Sequence, residues 1–323
     1  MERRDFIKRA ALASGGFWAL GRLSSAWAAD VASDGMAYGT LGRTGARVSR
    51  FGFGTAPIGR GWVPEAEAIQ MVHKALDEGI NYFDTAPIYQ DGESERRLGK
   101  ALKGRRDEAF VVTKIQDPSY GGTMRLLEES LGRLQMDAVD LVHLHNFGDE
   151  GRFPDLDFLF GEDGAMGALR EAKRKGMLRF VGASGHLHPS RFQRAIDSGE
   201  VDALMVAVNY INQHTYDFEH KVWNRAAEED IGLVSMKMFG GGSRRFKIPE
   251  EDYEIAMRYT LSLPDLSTAV IGLGAMEHLD RALQTFRSVK PLSDAEFMEV
   301  ARRGKELIES DSRWQAAHGY PLA

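Results

Sequence analysis

Short apolar runs alternate with amphipathic helical patterns eight times between Arg50 and Phe286, and no other feature of the chain limits its fold as strongly. The strand-like runs are Arg50–Gly54, Asn81–Asp84, Phe110–Lys114, Val139–His145, Arg179–Ser184, Ala203–Asn209, Gly232–Met236 and Thr268–Gly272. Helical patterns follow them at Pro64–Glu78, Ser94–Leu102, Thr123–Leu134, Ala165–Lys175, Ser190–Ser198, Lys221–Glu229, Pro249–Ser262 and Met276–Phe286. Strands rich in Val, Leu and Phe with little alternation are those of a parallel sheet covered on both faces. Eight such units in about 250 residues have the size of a (β/α)8 TIM barrel. A hairpin around Arg43-Thr44-Gly45 precedes the first strand, and an extra helix at Ala295–Ile308 follows the last unit. The alternative is an open doubly wound sheet, but no Gly-x-Gly-x-x-Gly follows the first strand and no composition break divides the chain. The reading is an α/β barrel in one domain over residues 36–323, with an N-terminal β-hairpin and an extra C-terminal helix.

The first 28 residues read differently. "RRDFIK" (Arg3 to Lys8) leads into an apolar Gly- and Ala-rich stretch, Ala10 to Leu20, and then to "SSAWAAD". A charged start, a short apolar segment and an Ala26-x-Ala28 site are the parts of an export signal, and the paired arginines resemble the twin-arginine class. The apolar run is too short to span a membrane. An amphipathic first helix of the domain is the competing reading. The expectation is a twin-arginine signal at 1–28, recognised by the twin-arginine export machinery, and a mature chain that is periplasmic or otherwise exported, without a membrane span. Removing those residues leaves 36 Lys and Arg against 45 Asp and Glu, a net charge of −9.

Composition narrows the chemistry. The chain has no cysteine, which excludes disulfides, iron–sulfur clusters and thiolate catalysis. It carries no basic block with interleaved aromatics, so nucleic acid is not an expected partner.

In a barrel of this kind, functional groups collect at the C-terminal ends of strands and in the loops beyond. Asp84 ends the second strand and Tyr89 follows in its loop; Lys114 ends the third; His145 ends the fourth, with His143 on the same side two residues earlier. Each alone reads as structural: a loop cap, a packing aromatic, half of an ion pair, a core histidine. Four ionisable groups at corresponding ends of consecutive strands are costly to bury separately, and together they mark a site.

These residues carry a resemblance. "FDTAPIYQDGESE" is similar to the aldo-keto reductase pattern of Asp-Thr-Ala, a Tyr five residues after the Asp, and a Ser-Glu opening the next helix. "VVTKI" resembles that family's lysine strand, "DAVDLVHLH" its histidine strand, and "TLGRTGARVSRFGFGTAPIG" its N-terminal hairpin and first strand. The likeness runs from Tyr38 to about Arg287 and implies carbonyl–alcohol interconversion by hydride transfer with a nicotinamide cofactor, NADP or NAD. It implies that Tyr89 gives or takes the proton, that Lys114 stabilises the phenolate, that Asp84 holds Lys114, and that His145 orients the carbonyl oxygen. The small-molecule substrate is then a carbonyl or alcohol. A sugar or glycoside is plausible, with His143, His186, His188 and Trp62 lining a cleft above Tyr89.

The same resemblance implies a cofactor site at Gly54, Thr55 and Ala56 after the first strand, Ser184 and Gly185 after the fifth, and Met205 on the sixth. It continues with Met236, Lys237, Phe239 and Gly240 after the seventh, and Gly272, Gly274 and His278 after the eighth. Three positions depart from the family: Gly185 replaces an Asn, Met205 a Gln, and Met236 the stacking aromatic. A thioether packs on a ring but is a poor partner for an amide. Gly272 and His278 stand where Lys and Arg often select NADP, which leaves NADP against NAD open. The run Gly240–Lys247, with Arg244 and Arg245, is a candidate clamp for a pyrophosphate, or else a solvated loop.

Two other classes remain at this point. One is a metal-dependent lyase, isomerase or hydrolase barrel using His143 and His145 with Asp84, His186 and His188. The other is a non-catalytic binding protein on a retained barrel.

Overall fold

The computed structural model describes residues 35–240 and 248–310. The expected signal at residues 1–28, Arg244 and Arg245 lie outside the described residues. Strands β3 (Phe51–Gly54), β4 (Tyr82–Asp84), β5 (Phe110–Ile115), β6 (Val139–His145), β7 (Leu178–Gly185), β8 (Ala203–Ala207), β9 (Gly232–Met236) and β10 (Leu266–Gly272) close into a parallel barrel in that order. β10 pairs with β3 through Ala269↔Phe51 to Gly272↔Gly54, which completes the ring.

The helices that cover it are α1 (Glu65–Asp77), α2 (Glu93–Ala101), α3 (Tyr120–Leu134), α4 (Leu156–Phe160), α5 (Ala165–Arg174), α6 (Pro189–Asp197), α7 (Asn224–Glu228), α8 (Tyr253–Leu261), α9 (Met276–Ser288) and α10 (Asp294–Ser310). Each expected strand and helix is present, with ends moved by a few residues. The pattern at Lys221–Glu229 is a π-helix, Glu219–Trp223, running into α7. The expected helix at Pro249–Ser262 opens with a 3-10 turn at Glu250–Asp252 before α8. The short helix α4 had no periodic signal, because five residues give barely more than one turn.

Two apolar layers hold the barrel. Inside it lie Tyr82, Phe110, Val112, Leu141, Met205, Val234 and Val270. A larger layer fills the space between strands and helices. The hairpin of β1 (Tyr38–Thr40) and β2 (Arg47–Ser49) sends Leu41 and Val48 into the inner layer. At its tip Gly42 has φ +45° and sits so close to the Asp230–Gly232 backbone that a Cβ would collide with it. The Arg43 amide donates to the Asp230 carbonyl at 2.6 Å. The hairpin thus plugs the N-terminal mouth, and the opposite mouth is left for a site.

Among the described residues no helix is long and apolar enough to cross a membrane.

Candidate active site

Strand pairing brings the polar groups together. Asp84 lies opposite Val112, Lys114 opposite His143, and His145 opposite Ser184. Asp84, Lys114 and His145 are all buried at the open mouth.

Lys114 Nζ donates to Asp84 Oδ1 at 2.6 Å, to Oδ2 at 2.7 Å and to the Thr85 carbonyl at 2.7 Å. It also lies 5.0 Å from the centre of the Tyr89 ring. The Tyr89 and His145 rings meet edge-on, with centroids 6.0 Å apart. Tyr89, Lys114, Asp84 and His145 therefore form one contiguous group.

Burial and charge oppose each other here. Burial draws the Lys114 ammonium down, but Asp84 and Tyr89 outweigh it, so its pKa stands above the usual lysine value. Burial pushes Tyr89 up; Lys114 pulls it back and burial wins. Of these influences Lys114 favours the phenolate, while burial and Asp84 oppose it. His145 is held well below the usual imidazole range, first by burial and then by Lys114, His186, Arg152 and His143.

The loops that carry these groups are pinned from behind. Thr55 donates to the Asp84 carbonyl through both its amide and its hydroxyl, each at 2.9 Å. Ser94 in α2 bonds the Thr55 carbonyl at 2.8 Å and the Thr85 hydroxyl at 3.1 Å. Glu95, fully buried, accepts from Thr113 Oγ1 and from Arg133 Nε, both at 2.6 Å. The Ser-Glu pair thus ties α2 to the strand bearing Lys114 and to α3.

A cavity of about 320 Å³ opens beside Tyr89 and Asp84. Gly54, Ala56, Met205, Met236, Lys237, Phe239, Gly240 and Gly272, all expected cofactor residues, line it. Its size is in the range of small-ligand pockets. Met205 and Met236 present thioethers to it, and Lys237 a cation. Thr55 serves the loop instead, as described above. Ser184 is buried next to the cavity's strands, its hydroxyl 3.5 Å from the Leu144 carbonyl. Gly185 packs near the Phe192 ring, Gly274 against Pro57, and His278 is exposed on α9 beside Glu277. Phe239 does double duty: it borders the cavity while stacking on Tyr253 at 4.2 Å between centroids.

His143 does not line the cleft expected for it. It is fully buried inside the barrel, and neither ring nitrogen has a hydrogen-bond partner among the described residues. A Cβ on Gly182 would collide with its ring, so the glycine makes room for it. Trp62, by contrast, is 70% exposed at the mouth, with the Arg60 guanidinium 4.7 Å from its ring centre.

Sequence reasoning missed two residues. Gln116 Nε2 lies 2.9 Å from His145 Nδ1, and Arg152 Nη1 donates to Gln116 Oε1. Gln116 stands two residues past Lys114, so it points to the same side of the strand's continuation. That periodicity is the signal that would have found it. Arg152 sits in a loop, where no period exists to read.

Among the described residues no group of three His, Cys, Asp or Glu side chains could hold a metal ion.

A phenol, a buried lysine–carboxylate pair and a histidine at the open mouth of a (β/α)8 barrel, facing a cavity bordered by three glycines, define an oxidoreductase of one class. The chain belongs to the aldo/keto reductase family, whose pattern matches residues 50–254. It is 37% identical over 292 residues to L-galactose dehydrogenase of Arabidopsis thaliana, covering 78% of this chain and 88% of that one. It is 28% identical over 243 residues to D-threo-aldose 1-dehydrogenase of a Pseudomonas species, covering 64% and 71%. Among solved structures, an aldo-keto reductase from Pseudomonas aeruginosa superposes with a TM-score of 0.65 at 30% identity, over 77% of this chain and 94% of that one. An aldo-keto reductase from Bacillus halodurans does so at 0.69 and 23% identity, over 83% and 96%, which speaks to the fold. Family membership decides for the oxidoreductase over the metal-dependent and non-catalytic readings.

Proposed function

We propose that the protein interconverts the carbonyl and alcohol of a sugar, with NADP(H) as cofactor and Tyr89 as the proton donor and acceptor. The carrying observation is the cavity itself: Tyr89 and Asp84 share its wall with the residues at the ends of β3, β9 and β10. The lining residues fit the nicotinamide end of such a cofactor in character. Gly54, Gly272 and Gly240 leave room for close approach, and the two thioethers suit the face of a ring. When bound, that group would supply or accept the hydride.

The chain's own residues do the rest. The Tyr89 and His145 rings meet edge-on, 6.0 Å between centroids, and a carbonyl oxygen held by both would gather charge there during reduction. Tyr89 gives that oxygen its proton, and Lys114 steadies the phenolate left behind. Asp84 keeps Lys114 charged and in place. In alcohol oxidation Tyr89 runs the same step in reverse.

The sugar assignment rests on the relatives named for L-galactose and D-threo-aldose. The NADP assignment rests on a Klebsiella pneumoniae aldo-keto reductase solved with NADPH. An exposed Trp62 at the mouth suits the apolar face of a pyranose ring. The test is oxidation of L-galactose and D-threo-aldoses, followed at the nicotinamide absorbance with NADP and with NAD. No hydride transfer with any sugar, in protein whose Tyr89→Phe variant binds cofactor equally, would remove the sugar reading.

The leader adds a second layer to this reading. An exported, folded protein finds no free nicotinamide pool outside the inner membrane, so its cofactor stays bound and is regenerated in place by a second substrate. Gly240, the last described residue before the sequence run that carries Arg244 and Arg245, borders the cavity.

A further inference from the structure

Arginine cannot accept a hydrogen bond, and that fact propagates through three side chains to the reacting centre. Arg152 Nη1 donates to Gln116. Its partner must be the amide oxygen, since the amide nitrogen is itself a donor. The NH2 of Gln116 is then turned towards His145, where it lies 2.9 Å from Nδ1. A donor facing Nδ1 requires that nitrogen to carry a lone pair, so the ring proton sits on Nε2.

We propose that Gln116 and Arg152 are positioning residues that fix His145 as the neutral Nε2–H tautomer, so that it donates to the substrate's carbonyl oxygen. The role builds on the carbonyl-reducing function proposed above, but the geometry it invokes exists without substrate. In the opposite tautomer Nε2 would present a lone pair to an oxygen gathering negative charge, and the site would repel its own transition state.

The surroundings of His145 support the neutral state. Among the described residues, Lys114 on β5 and Arg152 in the loop after β6 are the cations that act on the ring, alongside His143, His186 and the Tyr89 phenol. None is a carboxylate that would favour an imidazolium. Of the nearby acids, Asp84 is engaged by Lys114, and Asp149 lies 3.9 Å from Arg152 Nε. It therefore faces the guanidinium rather than the ring.

The experiment reads the tautomer directly. Full-length protein labelled with 15N-histidine is examined by long-range 1H–15N correlation, with His145→Gln assigning the resonance. Wild type should show Nε2 protonated and Nδ1 bare, unchanged from weakly acidic to alkaline pH. Gln116→Glu places an acceptor opposite Nδ1 and should move the proton there, or create an imidazolium at neutral pH. Gln116→Met, which keeps the length but offers no donor, should give a tautomer mixture, as should Arg152→Met. In turnover, Gln116→Glu should lose roughly 100-fold in kcat/KM, comparable to removing one donor from a developing oxyanion, with folding unchanged. A wild-type ring protonated on Nδ1, or spectra that no Gln116 or Arg152 variant moves, would overturn the proposal. Because the spectra need no substrate, failure to find a sugar leaves this result standing and counts only against the function proposed above.

Discussion

Lys114 Nζ lies 2.6 and 2.7 Å from the two carboxylate oxygens of Asp84, and both side chains are shielded from water. Such a pair is poor at stabilising a fold, because desolvating two charges consumes most of their attraction. Its presence at the mouth is better explained by chemistry than by stability. Removing one partner strands the other. Lys114→Met and Asp84→Asn should each cost about 3–5 kcal/mol, whereas the double variant should recover most of that loss and remain inactive. Urea unfolding of the four proteins gives the cycle. A double variant as unstable as the singles would mean that the pair is structural.

The pH dependence of reduction follows from two shifts of opposite sign. Burial raises Tyr89, so the proton it must donate stays in place as the medium turns alkaline. Burial lowers His145, so the ring stays neutral as the medium turns acid. The rate of carbonyl reduction should therefore be flat across neutral pH and fall only at the alkaline end, where the phenol ionises. A decline centred near the usual histidine range of about 6.5 would show that His145 takes up a proton in the working enzyme.

The alternation of β and α segments made the barrel legible because burial on both faces leaves each strand apolar throughout. The Asp84–Tyr89 spacing, Lys114 and His145 were legible because inward polar residues at strand ends stand out against that background. Gln116 and Arg152 were not: their roles depend on which loop folds over which strand end, and spacing does not encode that. His143 was misplaced for a related reason. Its period puts it on the inward side with His145, but says nothing about depth, and two residues lower the barrel is closed by its own packing.

Another buried acid, Glu219, predicts how stability depends on pH. Glu219 in the π-helix is fully buried, and Tyr259 donates to its Oε1 at 3.3 Å while Oε2 has no partner among the described residues. Burial raises its pKa from 4.5 to about 8. A carboxyl raised on folding contributes fully below its unfolded pKa and loses that contribution as pH rises through the folded value. Stability should thus decline between about pH 4.5 and about pH 8, by up to roughly 1.4 kcal/mol per pH unit from this group. Glu219→Gln keeps the neutral shape and should flatten that decline, raising Tm at pH 8 far more than at pH 5. Parallel curves for the two proteins would show that Glu219 is not the group responsible.

The proposed twin-arginine leader and the cavity make a joint prediction. Twin-arginine export moves folded proteins, so a nicotinamide nucleotide acquired in the cytoplasm can cross inside the barrel. A cofactor that cannot exchange must be held tightly, and a ligand bound only to the native state stabilises it by mass action. The cavity supplies one hold beside Tyr89, and Arg244 and Arg245 would supply another, worth about 1–3 kcal/mol each as charge-assisted contacts to a pyrophosphate. Protein expressed with its leader and recovered from the periplasm should release close to one nicotinamide nucleotide per chain on denaturation. Arg3→Lys together with Arg4→Lys should leave the precursor in the cytoplasm with its cofactor still bound. Arg244→Ala with Arg245→Ala should reach the periplasm depleted of cofactor and with a lower Tm, restored by adding NADP. Periplasmic protein that arrives empty yet turns over rapidly on added NADPH would show that the cofactor exchanges freely, and that the barrel needs no clamp.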